Sequence, residues 1–426
     1  MGKRYASTNL VAVEDALAMT LSQVRRMPVE EVEPLDSYGR VLARDIASDI
    51  DLAPFASSSM DGFAVRAKDL VGAEAHNPAV LEIVGVIGAG SVFDSSLHSG
   101  QALRIMTGAP LPDGADSVVK IEDCKVSGES TEHPAGIQVL IPAAHPLGEN
   151  VRGAGEEARA GEVLLHAGEV VNAAGVGLLA STGHTRVAVY ARPRVAVFSS
   201  GDELVEFGEV PGPGQIRNSN TLGLAAQARA AGAKPTVLPK VNDNPEAFLA
   251  AFAAAVRDHD MVVISGGAAE GDYDYTTSTI RQLGEVFFNK VNMKPGKAQT
   301  LGQIDGVPVF GLPGNPAAAA VGFEVLVRPA LRQMQGFSQL QRPISSARTT
   351  QAIKKSEDRR HYLRARLNVD AKGQRSVTPF RNQSSALLRA LYEGNCLLIV
   401  AEGPQDIAVG EQVPCLRLDL PEGALL

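Results

Sequence analysis

The sequence predicts a multidomain chain of mixed α/β and β class. Three observations carry that expectation. The chain has 426 residues, too many for one hydrophobic core and enough for several domains. Between residues 190 and 333, short β-branched runs alternate with helical segments, the signature of a mostly parallel, doubly wound sheet. On either side, at roughly 50–150 and 345–426, short apolar stretches are cut by Gly, Pro, Asp and Ser, which reads as two β-rich modules. With 42 Gly and 25 Pro, turns and short elements are expected rather than long bundles.

Residues 10–27 carry Val13, Leu17, Leu21 and Val24 at helical spacing, and Val29 to Val41 reads as a strand and turn broken by Pro28 and Pro34. In the first β-rich module the candidate strands are Val80 to Val86, Ala102 to Met106, Ser117 to Ile121 and Ile137 to Ile141, with 142–155 as an exit linker. Within 190–333, strands are expected at Val195 to Phe198, Thr236 to Leu238, Met261 to Ile264 and Val307 to Phe310. Helices are expected from Thr221 to Ala231, capped by Ser219 or Asn220, and from Asn244, whose side chain caps a helix opened by Pro245. In the tail, Tyr362 to Val369 alternates into a turn at Asp370 to Gly373, and Cys396 to Val400 reads as a buried strand.

Composition excludes several classes. A formal charge of −8 argues against non-specific nucleic-acid binding. Cys124, Cys396 and Cys415 are too scattered for a disulfide framework, and the His residues show no zinc spacing. No apolar run is long enough to cross a membrane, and no apolar segment follows Lys3 and Arg4 as in a signal peptide, so a cytoplasmic protein is expected. There is no P-loop and no GxSxG elbow. Gly175 to Ala180 satisfies GxGxxA, but it lies in a helical stretch with no clear preceding strand, so helix packing explains it better.

Chemistry is expected where parallel strands end, because ligands of doubly wound sheets bind beyond their carboxyl ends. Three such ends are unusual: Gly201-Asp202-Glu203, Ser265-Gly266-Gly267 and Pro313-Gly314-Asn315-Pro316. Each alone reads as an ordinary βα turn. Together, with helix N-termini behind two of them, they suggest a phosphate-containing ligand and a divalent cation bridging carboxylate and phosphate. Lys290, Lys294 and Lys297 place three cations within eight residues of an acidic chain, a patch suited to an oxyanion or else a solvated turn. Asp272 and Asp274 are candidate metal or ribose ligands, or simple caps. Asp61-Gly62, within 57–65, reads by itself as a hairpin turn.

In this order, SSMDGFAV, RIMTGAPLP, SSGDEL, SGG…GDYDYT, MKPGK and GLPGNP resemble the molybdenum insertase family, the molybdopterin molybdotransferases that include the insertase domain of gephyrin. The resemblance runs from about residue 10 to 420. It implies a discontinuous linking domain (1–50 and 150–190), an inserted β-rich domain (51–149), a molybdopterin-binding-type α/β domain (191–333) and a small C-terminal β-barrel (334–426). It implies a homodimer whose cleft lies between the α/β domain of one subunit and the inserted domain of the other. The implied reaction inserts molybdate into adenylyl-molybdopterin with Mg²⁺ and releases AMP. A molybdopterin adenylyltransferase and apo-molybdoenzymes are the implied protein partners.

The same resemblance assigns residues. Asp61, Thr107, Glu203, Asp243, Asp274, Lys290 and Lys294 match its catalytic positions, with Glu203, Asp243 and Asp274 toward Mg²⁺. Arg152, Glu157, Ser265, Gly266, Gly267, Lys297, Pro313, Gly314, Asn315, Pro316, Arg364 and Ser385 match substrate-binding positions. The sequence departs from the family pattern in three places. Ala268 and Ala269 follow the SGG where a serine is usual, Glu157 stands for Asp, and Gln383-Ser384-Ser385-Ala386 replaces QGSG. A molybdopterin adenylyltransferase and a non-catalytic binding or scaffold protein are the competing readings.

Overall fold

A computed structural model describes residues 10–127, 137–267 and 275–424. Its central sheet runs in the order Lys234–Val237, Arg194–Ser199, Met261–Ser265, Val307–Leu312, Thr300–Ile304, Glu285–Phe288. The first four strands are parallel and the last two antiparallel. Side-chain alternation feeds two cores. Val195 and Val197 face the helices Asn220–Ala230 and Pro316–Met334, while Ala196 and Phe198 face Phe248 and Phe252 of Pro245–Asp258. Apolar side chains on both faces are what a sheet covered on both sides requires.

The expected start of Pro245–Asp258 holds: Asn244 Oδ1 accepts from the Ala247 amide at 3.0 Å. The helix expected at Thr221 runs Asn220–Ala230, but neither Ser219 nor Asn220 caps it through its side chain. Asn220 is used elsewhere. The helix expected over residues 10–27 is shorter, Val13–Ser22, and its buried Val13 and Ala16 join the core formed by Phe323, Leu326 and Leu331.

Residues 62–141 form a second six-stranded sheet, ordered Ser117–Lys120, Gly62–Val65, Gln101–Ile105, Ala79–Ile87, Gln138–Ile141, Lys125–Ser127. The hairpin expected at Asp61-Gly62 does not form. Ser57–Ser58 pairs with Val151–Arg152, from the segment expected to be a linker, while Gly62–Val65 pairs with two other strands. A Cβ on Gly62 would lie 2.0 Å from the Val119 carbonyl oxygen, so this glycine serves a close strand approach rather than a turn. Residues 29–47 and 163–190 meet around Leu42, Ile46, Val171, Leu179, Val187 and Val189, so the chain leaves this core and returns to it. Gly175 lies inside the helix Ala173–Ser181, in agreement with the packing reading.

The tail closes a five-stranded barrel. Arg360–Val369, Arg375–Pro379, Ile344–Thr349, Gln412–Arg417 and Cys396–Val400 pair in turn, and the last pairs back onto the first. The turn at Asp370 to Gly373 joins the first two, as expected. One short strand of the lysine segment, Met293–Lys294, adds in parallel to Arg360 and His361 at the barrel's edge. That pairing ties the α/β sheet to the barrel and positions the site.

Candidate active site

The three strand ends converge. Strand pairing sets Ser199 beside Ser265 and Ser265 beside Leu312, which brings their following loops side by side. Ser265 Oγ donates to the Pro313 carbonyl at 2.9 Å. Asn220 Nδ2 reaches Ser265 Oγ at 2.8 Å and the Gly314 carbonyl at 2.7 Å, so it ties two loops together instead of capping its helix. Gly266 has φ +98°, and a Cβ there would fall 2.4 Å from the Ser200 carbonyl oxygen, so a side chain is excluded twice over. A Cβ on Gly267 would lie 2.8 Å from Phe248 and 2.9 Å from the Ser200 hydroxyl, also too close.

Two cavities share Gly314. The larger, about 540 Å³, is lined by Lys294, Lys297, Pro313, Asn315, Arg359 and Ser385, among others. Around it the α/β sheet and the barrel meet. The Ser385 carbonyl accepts from the Ala317 amide at 2.8 Å in the first turn of the helix that begins at Pro316. Ser384 and Ser385 therefore reach the pocket although both family glycines are replaced. The smaller cavity is lined by Glu203, Asn218, Asn220, Ser265, Gly314 and Pro316. The larger cavity is cationic, while the smaller carries both an acid, Glu203, and a cation, Arg217.

The acidic loop has its own electrostatics. Asp202 Oδ1 accepts from the Asp243 amide at 3.1 Å. Burial, with Asp202 and Glu203 nearby, pushes the Asp243 carboxyl above the usual carboxylate range. Among the described residues its buried Oδ1 has no hydrogen-bond partner, and neither has the buried Ser200 hydroxyl on the neighbouring loop. A crowded carboxylate with an unused oxygen suits a hard cation such as Mg²⁺. Only part of the expected ligand set can be placed: Glu203 and Asp243 lie on neighbouring loops, and Asp274 lies outside the described residues. Among the described residues no three acidic, Cys or His side chains gather around one point. Asp272 and the Ala268–Ala269 departure also lie outside them.

The remaining expected residues are dispersed. Asp61 and Thr107 meet on the second sheet, where Asp61 Oδ1 accepts from both the Thr107 amide and hydroxyl at 2.7 Å. These two bonds hold the exposed Asp61 carboxyl below its ordinary value. Arg152 and Glu157 are exposed on the segment that returns from that sheet. No hydrogen bond or ion pair among the described residues links these four to the two cavities. Lys290 is half-buried and lines neither cavity; its carbonyl accepts from the Val11 amide at 3.1 Å. Arg364 also lines neither cavity. Its guanidinium is buried, which lowers its pKa, and it donates to the Ser384 carbonyl at 2.9 Å, bracing the pocket loop from behind.

Sequence reading missed Arg359, Gln383 and Asn220. Arg359 sits in the run Ser356-Glu357-Asp358-Arg359-Arg360, which looks like a solvated charge cluster. No local signal marks it, because only the pairing of Met293–Lys294 with Arg360 and His361 carries it to the lysines.

Residues 11–183 match the MoeA N-terminal region (domain I and II), residues 196–333 the probable molybdopterin binding domain, and residues 346–418 the MoeA C-terminal region (domain IV). A molybdopterin molybdenumtransferase of Staphylococcus aureus is 33% identical over 406 residues, covering 95% of both chains. One from Staphylococcus epidermidis is 32% identical over 404 residues, covering 95% of this chain and 94% of that protein. Among solved structures, a molybdopterin biosynthesis MoeA protein from Pyrococcus horikosii superposes with a TM-score of 0.82 at 32% identity, covering 96% of this chain and all of the other. On this evidence of sequence and fold together, the chain belongs to the MoeA family.

Proposed function

We propose that this chain is the transferase that completes the molybdenum cofactor: it takes adenylyl-molybdopterin and molybdate, inserts the metal oxide into the dithiolene and releases AMP in a Mg²⁺-dependent step. The observation that carries the reading is the cationic pocket of Lys294, Lys297 and Arg359 adjoining the cleft that holds Glu203. Molybdate is a dianion, and the substrate's pyrophosphate adds charge next to it. Ammonium and guanidinium donors with the Ser384–Ser385 loop hold tetrahedral oxygens. Ser265 lines the smaller cavity, while Gly266 and Gly267 let its loop pack closely against Ser200. Glu203 and Asp243, with Asp274 as a third candidate, would hold the cation. When bound, that ion draws charge from the pyrophosphate as its bond breaks. The Staphylococcus relatives are named molybdopterin molybdenumtransferases, which supports the transfer of molybdenum.

The reading includes the division into a linking domain (1–50 and 150–190), an inserted domain (51–149), an α/β domain (191–333) and a barrel (334–426). It also includes a homodimer. Asp61 and Thr107 are exposed and joined to each other but not to the cavities of their own chain. A second copy supplying them across the cleft would give them a role.

Incubating the protein anaerobically with adenylyl-molybdopterin, Mg²⁺ and molybdate, and following AMP, tests the proposal. Turnover is expected, with loss in Asp61→Ala and Glu203→Ala at unchanged folding. Normal turnover by both variants would overturn the site assignment. AMP release without molybdate, or adenylylation of molybdopterin from ATP, would replace the reaction itself.

A further inference from the structure

Behind the lining of the larger cavity, bonded to two of its cations, stands a carboxylate that no motif marks. Glu357 Oε1 accepts from Lys294 Nζ at 2.5 Å. Its Oε2 accepts from Arg359 Nε at 2.8 Å and lies 2.5 Å from Arg359 Nη2. His361 Nε2 stands 3.1 Å from Oε1. The turn carrying Glu357 is anchored in its own right: the buried Lys355 ammonium donates to the Glu357 carbonyl at 2.7 Å and to the Gly403 carbonyl. Burial would push the Glu357 carboxyl up, but hydrogen bonds from Lys294 and Arg359 together outweigh it and hold the pKa at about 2. The group is charged at neutral pH.

Lys294 arrives from the α/β side and Arg359 from the barrel side, and both line the pocket. Two like charges facing one pocket repel, and each long side chain has rotamer freedom to swing into water. One carboxylate between them removes the repulsion and fixes both heads. It uses one of the three ammonium donors and at most two of the five guanidinium donors, leaving the rest for a ligand.

We propose that Glu357 is a positioning residue for oxyanion recognition: it holds Lys294 and Arg359 together so that a tetrahedral oxyanion meets a preformed cation pair. The inference rests on the oxyanion reading of the pocket. A carboxylate that only neutralised the pocket would have the opposite effect, since its removal would strengthen anion binding.

The test titrates sodium molybdate into the full chain by calorimetry, comparing wild type, Glu357→Gln, Glu357→Asp and Lys294→Ala. Separately, acetic anhydride labelling of Lys294 without anion is followed by mass spectrometry. Glu357→Gln is expected to bind about five- to tenfold more weakly, equivalent to about 1–1.4 kcal/mol, to label faster at Lys294 and to retain its circular dichroism. Glu357→Asp, which keeps the charge on a shorter arm, is expected to recover part of both and serves as the test should the Gln variant unfold. Unchanged or tighter molybdate binding with wild-type labelling would overturn the proposal. If wild type itself fails to bind molybdate, the oxyanion reading falls, and the labelling result still decides whether Glu357 tethers Lys294.

Discussion

Two ion-pair clusters tie the barrel region to the α/β sheet, and they differ in one respect. In the first, Glu422 pairs with Arg328 at 2.5 Å and Arg332 at 3.3 Å, while Glu324 pairs with Arg342 at 2.9 Å. Glu422 and Arg328 side chains are 2% and 5% exposed. In the second, Glu357 gathers Lys294 and Arg359 with side chains 31%, 49% and 27% exposed. The chemistry is the same and the solvent is not. Closed off, opposite charges are committed to one another, because an unpaired buried ion costs far more than a pair gains. Half-open, a carboxylate can align cations and leave their remaining donors to a ligand, while contributing little stability. Burial thus separates a cluster that fastens the fold from one that prepares a site.

The contrast predicts a hierarchy of effects. The largest belongs to Glu422→Ala, which strands Arg328 and Arg332 and is expected to cost about 3 kcal/mol in urea unfolding, with molybdate affinity unchanged. Glu422 has a depressed pKa: burial alone would raise it, but Arg328 and Arg332 outweigh that. Its stabilisation is therefore present above the unfolded carboxyl value of about 4.3 and is lost as pH falls through the folded one. A variant as stable as wild type at pH 7 would erase the distinction between the clusters. Next comes Lys294→Ala, expected to weaken molybdate binding at least about tenfold while changing stability by no more than about 0.5 kcal/mol. A comparable loss of stability would make the second cluster a fastener too.

The smallest effect sharpens the comparison at the acidic loops, where Asp202 and Glu203 act on Asp243 and Lys240 opposes them only weakly. Asp243 has a raised pKa, caused by burial and then by Asp202 and Glu203. Its charged form therefore costs stability, with the penalty growing above the unfolded value of about 3.9 and complete above the folded one. Asp243→Asn is expected to stabilise by less than about 1 kcal/mol at pH 7, with no gain near pH 2. It is also expected to abolish any rise in melting temperature on adding MgCl₂. Wild-type melting that ignores MgCl₂ would remove the cation from the proposal.

Much of the frame was legible because it obeys short periods. The four parallel strands, the Asn244 cap and the turn at Asp370 to Gly373 depend on neighbours in sequence, and they formed where expected, whereas the antiparallel strands Glu285–Phe288 and Thr300–Ile304 went unread. The Asp61-Gly62 turn misled because Gly62 answers to Val119, far along the chain. Asn220 was misjudged for the same reason: its partners, Ser265 and the Gly314 carbonyl, are brought to it by the sheet.

The sequence by itself determined the kinds of element, the glycines at the strand ends, and the store of lysines and acids from which a site could be made. Only the tertiary structure decided which charges share a space. Barrel closure and the parallel pairing of Lys294 with His361 brought Arg359 and Glu357 to the lysine turn. Hydrophobic and turn patterns act over a few residues and so are written locally. Coulombic partnership depends on distance and on the surrounding dielectric, which exist only once the chain has folded.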